Sequence, residues 1–276
     1  MEFAQDRINV LNKIEICEKN KRFDLDIEDD PPAKNLMPNQ VDYLNKKLSS
    51  KFLTWHYNNC AKKFIKHQIK RKNLIIDKIE GIENFNKVSG GAILTCNHFN
   101  PFDSFAVKES IKGTKNKMYT VIREGNYTSF KGFYGKIFKH CNTLPLSSNK
   151  DTMKLFVKAM QDILNKGNKV LIFPEQAMWW NYKKPRPLKN GAYNLAVKNN
   201  VPIIPFFITF LGSNEIGKDG FTIKKYTVHI LEPIYPNPNL SLKENIEQMK
   251  QLNFNAWQKV YEQTYGIKLK YLTKEE

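Results

Sequence analysis

No stretch of this sequence stays apolar for long. The longest such run, Val201 to Leu211, is broken by Pro202 and Pro205. It falls well short of the roughly 20 residues a spanning helix needs. Cysteine is scarce and scattered: Cys17, Cys60, Cys96 and Cys141 form no C-x-x-C pair. A zinc site, a redox motif and a disulfide framework therefore lack support, and a reducing compartment fits best. The early charges Glu2, Asp6 and Arg7 leave no apolar h-region, so no secretory signal is expected. Internal repeats, low-complexity tracts and a G-x-S-x-G elbow are also absent. Acids run short, with 44 Lys and Arg against 27 Asp and Glu, a formal charge of +17. Such a surface suits anionic partners: nucleic acid, phosphorylated small molecules, an acidic protein or an anionic membrane face. What is present suffices for a core. Of 276 residues 41% are hydrophobic, including 18 Phe and 12 Tyr, which excludes chain-wide disorder.

Residues 1–38 mix charges and reach the breaker Asp29-Asp30-Pro31-Pro32, which reads as a partly ordered tail. Residues 39–72 differ. Val41, Leu44, Leu48, Phe52 and Trp55 recur at helical spacing, and no acid occurs between Asp42 and Asp77 while nine Lys and Arg residues from Lys46 to Lys72 do. This predicts a basic amphipathic helical segment that lies on anionic lipid, or packs its apolar face on the core, or does both. From residue 73 to 276 strands alternate with helices. Strands are expected at Leu74–Ile79, Gly91–Cys96, Lys117–Ile122, Thr143–Leu146, Lys169–Phe173, Val201–Phe210 and Phe221–Leu231. Helices are expected at Ser104–Lys112, Phe130–Lys139, Thr152–Lys166 and Leu188–Lys198, and from the capping box Ser241–Glu244 to Tyr265. The expected fold is α/β, a mostly parallel mixed sheet with helices on both faces.

Ligands of such sheets bind beyond the carboxyl ends of the strands. Three expected strands end in polar groups there: Asn97-His98, Arg123-Glu124 and, after Phe173, Pro174-Glu175-Gln176. If the strands are parallel neighbours, one crevice receives an imidazole, a guanidinium and a carboxylate. His98 and Asp103 stand five apart across a strand-to-helix turn. Asn100 fits an N-cap, Pro101 the first helical position and Asp103 the third, where a carboxylate meets free amides. The aspartate would fix the imidazole tautomer and leave the other nitrogen to take a proton. The bland alternative is a capping acid beside a satisfied turn residue. Five residues beyond His56, His67, His140 and His229 stand Ala61, Lys72, Pro145 and Ile234, so only His98 has such a partner.

Asn97-His98 with Asp103 resembles the N-H-x4-D block of the glycerolipid acyltransferases, the 1-acylglycerol-3-phosphate acyltransferase family. Phe173-Pro174-Glu175 is similar to that family's F-P-E block, and Val201-Pro202-Ile203-Ile204-Pro205 to its V-P-I-x-P strand. The blocks stand in the family's order over roughly Asn73 to Leu231. Two departures matter. Gln176-Ala177-Met178 replaces the usual Gly-Thr-Arg or Gly-Thr-Ser, and Leu144-Pro145-Leu146-Ser147-Ser148 lacks the second block's arginine. Arg123 and Arg186 are the substitutes we favour for gripping phosphate, although the 183–186 cluster also reads as a solvated basic loop.

The resemblance implies acyl transfer from a thioester to a hydroxyl of a lysophospholipid, 1-acylglycerol 3-phosphate above all, in phospholipid biosynthesis. His98 and Asp103 would be catalytic, and Asn97, Arg123, Phe173, Pro174, Glu175 and Arg186 would bind substrate. Glu175 has an alternative as a buried carboxylate bonded to amides. No metal is expected. The cosubstrate would be acyl-CoA or acyl-acyl carrier protein, both suited to a basic surface. Trp179 and Trp180 beside Lys183 and Lys184 resemble an interfacial patch, or close the active-site loop from inside. The expected location is cytoplasmic, peripheral to the inner face of the cell membrane, with an anionic surface as partner. Nucleic acid is not expected, since no recognition helix or RNP-like pattern is found. A different lysolipid acceptor is the nearest alternative.

Overall fold

The computed structural model describes residues 3–274. The chain opens with α1 (Gln5–Lys19), a 3-10 turn (Pro38–Gln40) and α2 (Leu48–Lys70). Then follow β1 (Ile75–Glu80), α3 (Ile82–Asn86), β2 (Ala92–Thr95), α4 (Asp103–Ser110), β3 (Met118–Ile122), α5 (Glu124–Thr128) and α6 (Gly132–His140). After these come β4 (Thr143–Pro145), α7 (Lys150–Asn165), β5 (Lys169–Ile172), α8 (Gly191–Lys198), β6 (Ile203–Ile216), β7 (Thr222–Ile230) and α9 (Leu242–Tyr265). The strands make one sheet in the order β1-β7-β6-β2-β5-β3-β4. Among the described strand pairs only β6–β7 is antiparallel.

Side chains alternate across a strand, so each buried strand feeds two cores. Leu94, Leu171, Ile204 and Phe206 face a core closed by Ile65 of α2 and by Ala106 and Val107 of α4. Ile93, Val170, Ile203 and Phe207 face the other, closed by Phe156 and Met160 of α7, Tyr193 of α8 and Trp257 of α9. Both faces are covered, which is why these strands read as continuous apolar runs.

β6 outruns its expected end at Phe210 by six residues. Past that point burial gives way to exposure, and the extension is held by backbone pairing with β7 rather than by a core. Residues 39–47 are mostly irregular, with Tyr43 buried and its hydroxyl donating to Pro145 O at 2.7 Å. The larger difference is upstream. The 1–38 segment, expected as a partly ordered tail, is a folded strap over its described residues. Val10, Ile14 and Ile27 pack with Ala177, Trp179 and Trp180 in a third apolar cluster, and Leu36 is 1% exposed. The strap fits its groove through a two-residue rhythm: Phe23, Leu25 and Ile27 turn inward while Asp24 and Asp26 turn outward.

Candidate active site

β2, β5 and β3 are consecutive, parallel neighbours. Their carboxyl ends therefore deliver His98, Glu175 and Arg123 to one edge of the sheet.

Asn97 closes the gap where β2 leaves β6. Its side chain donates to Ile208 O at 3.0 Å and accepts from Ile208 N at 2.8 Å, acting as one more rung of the ladder. At 2% exposure it belongs to the sheet and not to the cleft, which corrects its assignment as a substrate ligand. Cys96 is buried too, and burial pushes its thiol well up, which removes it as a nucleophile.

His98 follows, with Nδ1 3.0 Å from Asp103 Oδ2. The same oxygen accepts from Phe99 N at 2.7 Å and Asn100 N at 2.9 Å. Asp103 opens α4 itself and is not its third residue, because Asn100 first makes a turn of its own, accepting from Phe102 N at 3.1 Å. The helix thus starts two residues later than the capping pattern implies, yet the carboxylate still collects free amides. Asp103 is fully buried, and its Oδ1 has no hydrogen-bond partner among the described residues. Burial raises its pKa against the pull of His98, Asn100 and Phe99. The His98 ring is 22% exposed and stacks on Phe173. Its Nε2 makes no hydrogen bond among the described residues. An imidazole oriented through one nitrogen and free at the other is arranged to receive a proton.

Glu175 accepts from His98 N at 3.0 Å through Oε2 and from Arg186 N at 2.8 Å through Oε1. Its carboxylate is thus bonded inside the protein, as the structural alternative for it required. Pro174 is buried, its carbonyl accepting from Lys189 N. Gln176, in the family's glycine position, has φ 68°, a left-handed backbone that glycine adopts without steric cost. The loop beyond is zipped to the histidine turn: Trp179 N donates to His98 O at 3.1 Å and Asn181 N to Phe99 O at 2.9 Å.

Several expectations are corrected here. Trp179 and Trp180 are 0% and 7% exposed, so they meet no membrane surface. They close the loop from inside, Trp179 Nε1 donating to Leu25 O of the strap at 3.0 Å. Lys184 is held by the buried Glu18 at 2.6 Å, and Lys183 lies over the Tyr265 ring at 4.9 Å. Arg186 is 1% exposed and ion-paired with Glu175 at 2.9 Å, so no phosphate reaches it. Arg123 remains at the edge, half exposed, between Asp26 and Asp30 of the strap.

The strap is what sequence reasoning missed. Asp24 reaches Lys189, Glu28 reaches Arg7 and Asp29 reaches Lys13. Glu124 anchors its end, accepting from Leu36 N at 2.6 Å, Ser147 Oγ at 2.9 Å and Ser148 N at 3.2 Å. Burial favours the neutral form of Glu124, but these donors outweigh it and its pKa lies below the ordinary value. The alternation of acids with Phe23, Leu25 and Ile27 was the available signal.

Residues 77–209 match the model of the Acyltransferase family. That match covers just under half of the chain. The matched stretch holds His98, Asp103, Phe173 and Glu175, while the strap and α2 lie outside it. An uncharacterized acyltransferase of Schizosaccharomyces pombe is 30% identical over 138 residues, 49% of this chain and 47% of that protein. The match thus spans about half the length of this curated relative. A solved structure described as the 1-acyl-sn-glycerophosphate acyltransferase PlsC from Thermotoga maritima has the same fold. Its TM-score is 0.54 at 20% identity, covering 83% of this chain and 87% of that one.

Proposed function

We propose that this chain moves a fatty acyl group from a thioester to the hydroxyl of a lysophospholipid, with 1-acylglycerol 3-phosphate as acceptor. The observation that carries the reading is the His98–Asp103 pair: Nδ1 tied to a buried carboxylate and Nε2 unbonded.

The chemistry follows from that geometry. As the acceptor oxygen attacks the thioester carbon, His98 Nε2 takes its proton, and the carbonyl oxygen gains charge. The tetrahedral centre then expels the thiolate by breaking the carbon–sulfur bond, and the imidazolium returns the proton to sulfur. Asp103 holds the ring and balances the imidazolium. General-base help of this kind is worth about 10²–10⁴-fold. The donor is acyl-CoA or acyl-acyl carrier protein. Arg123 is the phosphate ligand in this reading, because it is the guanidinium that remains partly exposed at the strand edge.

The membrane contact moves from the tryptophan loop to α2. Leu48, Phe52 and Trp55 are 82%, 63% and 64% exposed on one face of that acid-free helix, and farther along it Phe133 and Tyr134 of α6 are exposed against Phe64. An apolar stripe with flanking lysines suits an anionic bilayer, and the proposed location is the inner face of the cell membrane. Among the described residues no helix is long and apolar enough to cross a membrane.

One observation favours a second reading. With Arg186 buried and Arg123 already paired, a lysolipid with a different headgroup is the alternative acceptor. The test crosses labelled acyl-CoA and acyl-carrier donors with lysophosphatidate, glycerol 3-phosphate and neutral lysolipids. Preferred transfer to lysophosphatidate, lost in His98→Ala, is the expected result. Equal rates in His98→Ala would end the mechanism, and preference for a neutral lysolipid would move the acceptor.

A further inference from the structure

Arg186 carries a permanent charge, lies outside the three recognised sequence blocks and is almost wholly buried. A buried guanidinium survives only with good partners. Nη2 donates to Glu175 Oε2 at 2.9 Å, to His98 O at 3.3 Å and to Ala177 O, and Nη1 donates to Phe23 O of the strap at 3.0 Å. The Trp179 ring covers the guanidinium at 4.8 Å. Glu175 Oε2 in turn accepts from His98 N. The bonds therefore close a ring around one residue: His98 N–H to Glu175, Glu175 to Arg186, Arg186 back to His98 C=O.

We propose that Arg186 is a positioning residue for His98, clamping the main chain on both sides of the imidazole and tying that clamp to the strap at Phe23. The inference rests on His98 being the base. The ring fixes the φ and ψ of His98, and so keeps its Nδ1 on Asp103 and its ring on Phe173. A displacement of about 1 Å at a reacting group costs about 10²-fold in rate. Lysine cannot replace this fork. One ammonium on a shorter, flexible stem pairs with Glu175 but cannot also donate from the Nη1 position to Phe23 O, so the fixed fork is lost.

The test uses the full chain, an acyl-CoA donor and lysophosphatidate. Arg186→Lys is expected to lower kcat about 10–100-fold, keep both KM values within about twofold and unfold in one cooperative transition. Combined with His98→Ala it should cause no further loss, because it acts through that residue. A multiplicative loss in the double variant would mean a general structural role. A rise in acceptor KM at unchanged kcat would make Arg186 a headgroup ligand. Either result overturns the proposal. If Arg186→Lys does not fold, the isosteric Glu175→Gln breaks the same ring and should show the same kcat-only loss; an unchanged kcat there is equally fatal. A His98→Ala protein with full activity removes the base itself, and so separates that failure from failure of the clamp.

Discussion

The His98 and Phe173 rings lie nearly parallel, with centroids 4.0 Å apart and planes 19° from one another. Phe173 leaves β5 and His98 leaves β2, and these strands are hydrogen-bonded neighbours, so the sheet itself sets the stack. Phe173 fixes one face of the imidazole while Asp103 fixes its edge.

Removing that support should loosen the base without touching its proton chemistry. Phe173→Ala is expected to lower kcat about tenfold, with acceptor KM little changed. Phe173 is only partly buried, so the stability loss should fall below the roughly 3–5 kcal/mol of a fully buried Phe→Ala, at about 1–3 kcal/mol. Steady-state kinetics and urea denaturation check the two numbers. An unaffected kcat would make the stack incidental.

Asp103 gives a pH prediction of definite sign. Its pKa is raised in the folded chain by burial, against about 3.9 unfolded. A carboxyl of this kind binds its proton more tightly in the native state. Its contribution to stability is full below the unfolded value and is lost as pH rises through the folded one. Asp103→Asn removes that loss. The difference in thermal midpoint between variant and wild type should therefore shift in favour of Asn as pH rises from about 3 to 7. Activity should move the other way, because an amide cannot balance the imidazolium. A midpoint difference that is flat across this range would refute the assignment.

Much of this site is written locally in the sequence. His98, Asp103, Phe173 and Glu175 each close or follow a short apolar run, and the sheet order turns those chain positions into neighbours. Asn97 was misread because its partner, Ile208, lies 111 residues away, and no local pattern distinguishes a ladder amide from a ligand. For Trp179 and Trp180 the sequence leaves an interfacial and an inward-closing reading open for a similar reason, and the structure shows the inward one. Aromatics beside lysines look interfacial until a distant segment covers them, and here that segment is α1 and the strap. The acidic rhythm from Asp24 to Asp30 could be read, but its basic partners could not, since Arg123 and Lys189 are brought to it only by the folded sheet.

Helix α2 carries the membrane prediction. Leu48, Phe52 and Trp55 stand four and three residues apart and are exposed together, and contiguous exposed apolar side chains rimmed by polar ones mark interaction or membrane surfaces. The double change Phe52→Ser and Trp55→Ser should abolish flotation with vesicles containing anionic lipid and leave the thermal midpoint within a few degrees. Transfer to a water-soluble short-chain acceptor should be unaffected, because Phe52 and Trp55 pack against each other and Phe52 against His56, whereas α2 meets the Asp103 helix farther along, through Phe64 and Phe105. Flotation that persists in this variant would place the docking surface elsewhere.

The strap sets the last prediction, through Arg123. In the folded chain its guanidinium is shared by Asp26 and Asp30, the two-oxygen arrangement a phosphate would offer. An acceptor that uses Arg123 must displace them. Both pairs are exposed, so each holds the arginine by about 0.2–1 kcal/mol. The strap's apolar anchors, Ile27 and Leu36, are buried and need not move. Asp26→Asn with Asp30→Asn should then lower the KM for lysophosphatidate about two- to thirtyfold at unchanged kcat, the range those two pair energies allow. Arg123→Gln should raise it, and should erase the benefit of the double change. If the double change raises KM instead, the two aspartates shape the arginine for its ligand and do not compete with it.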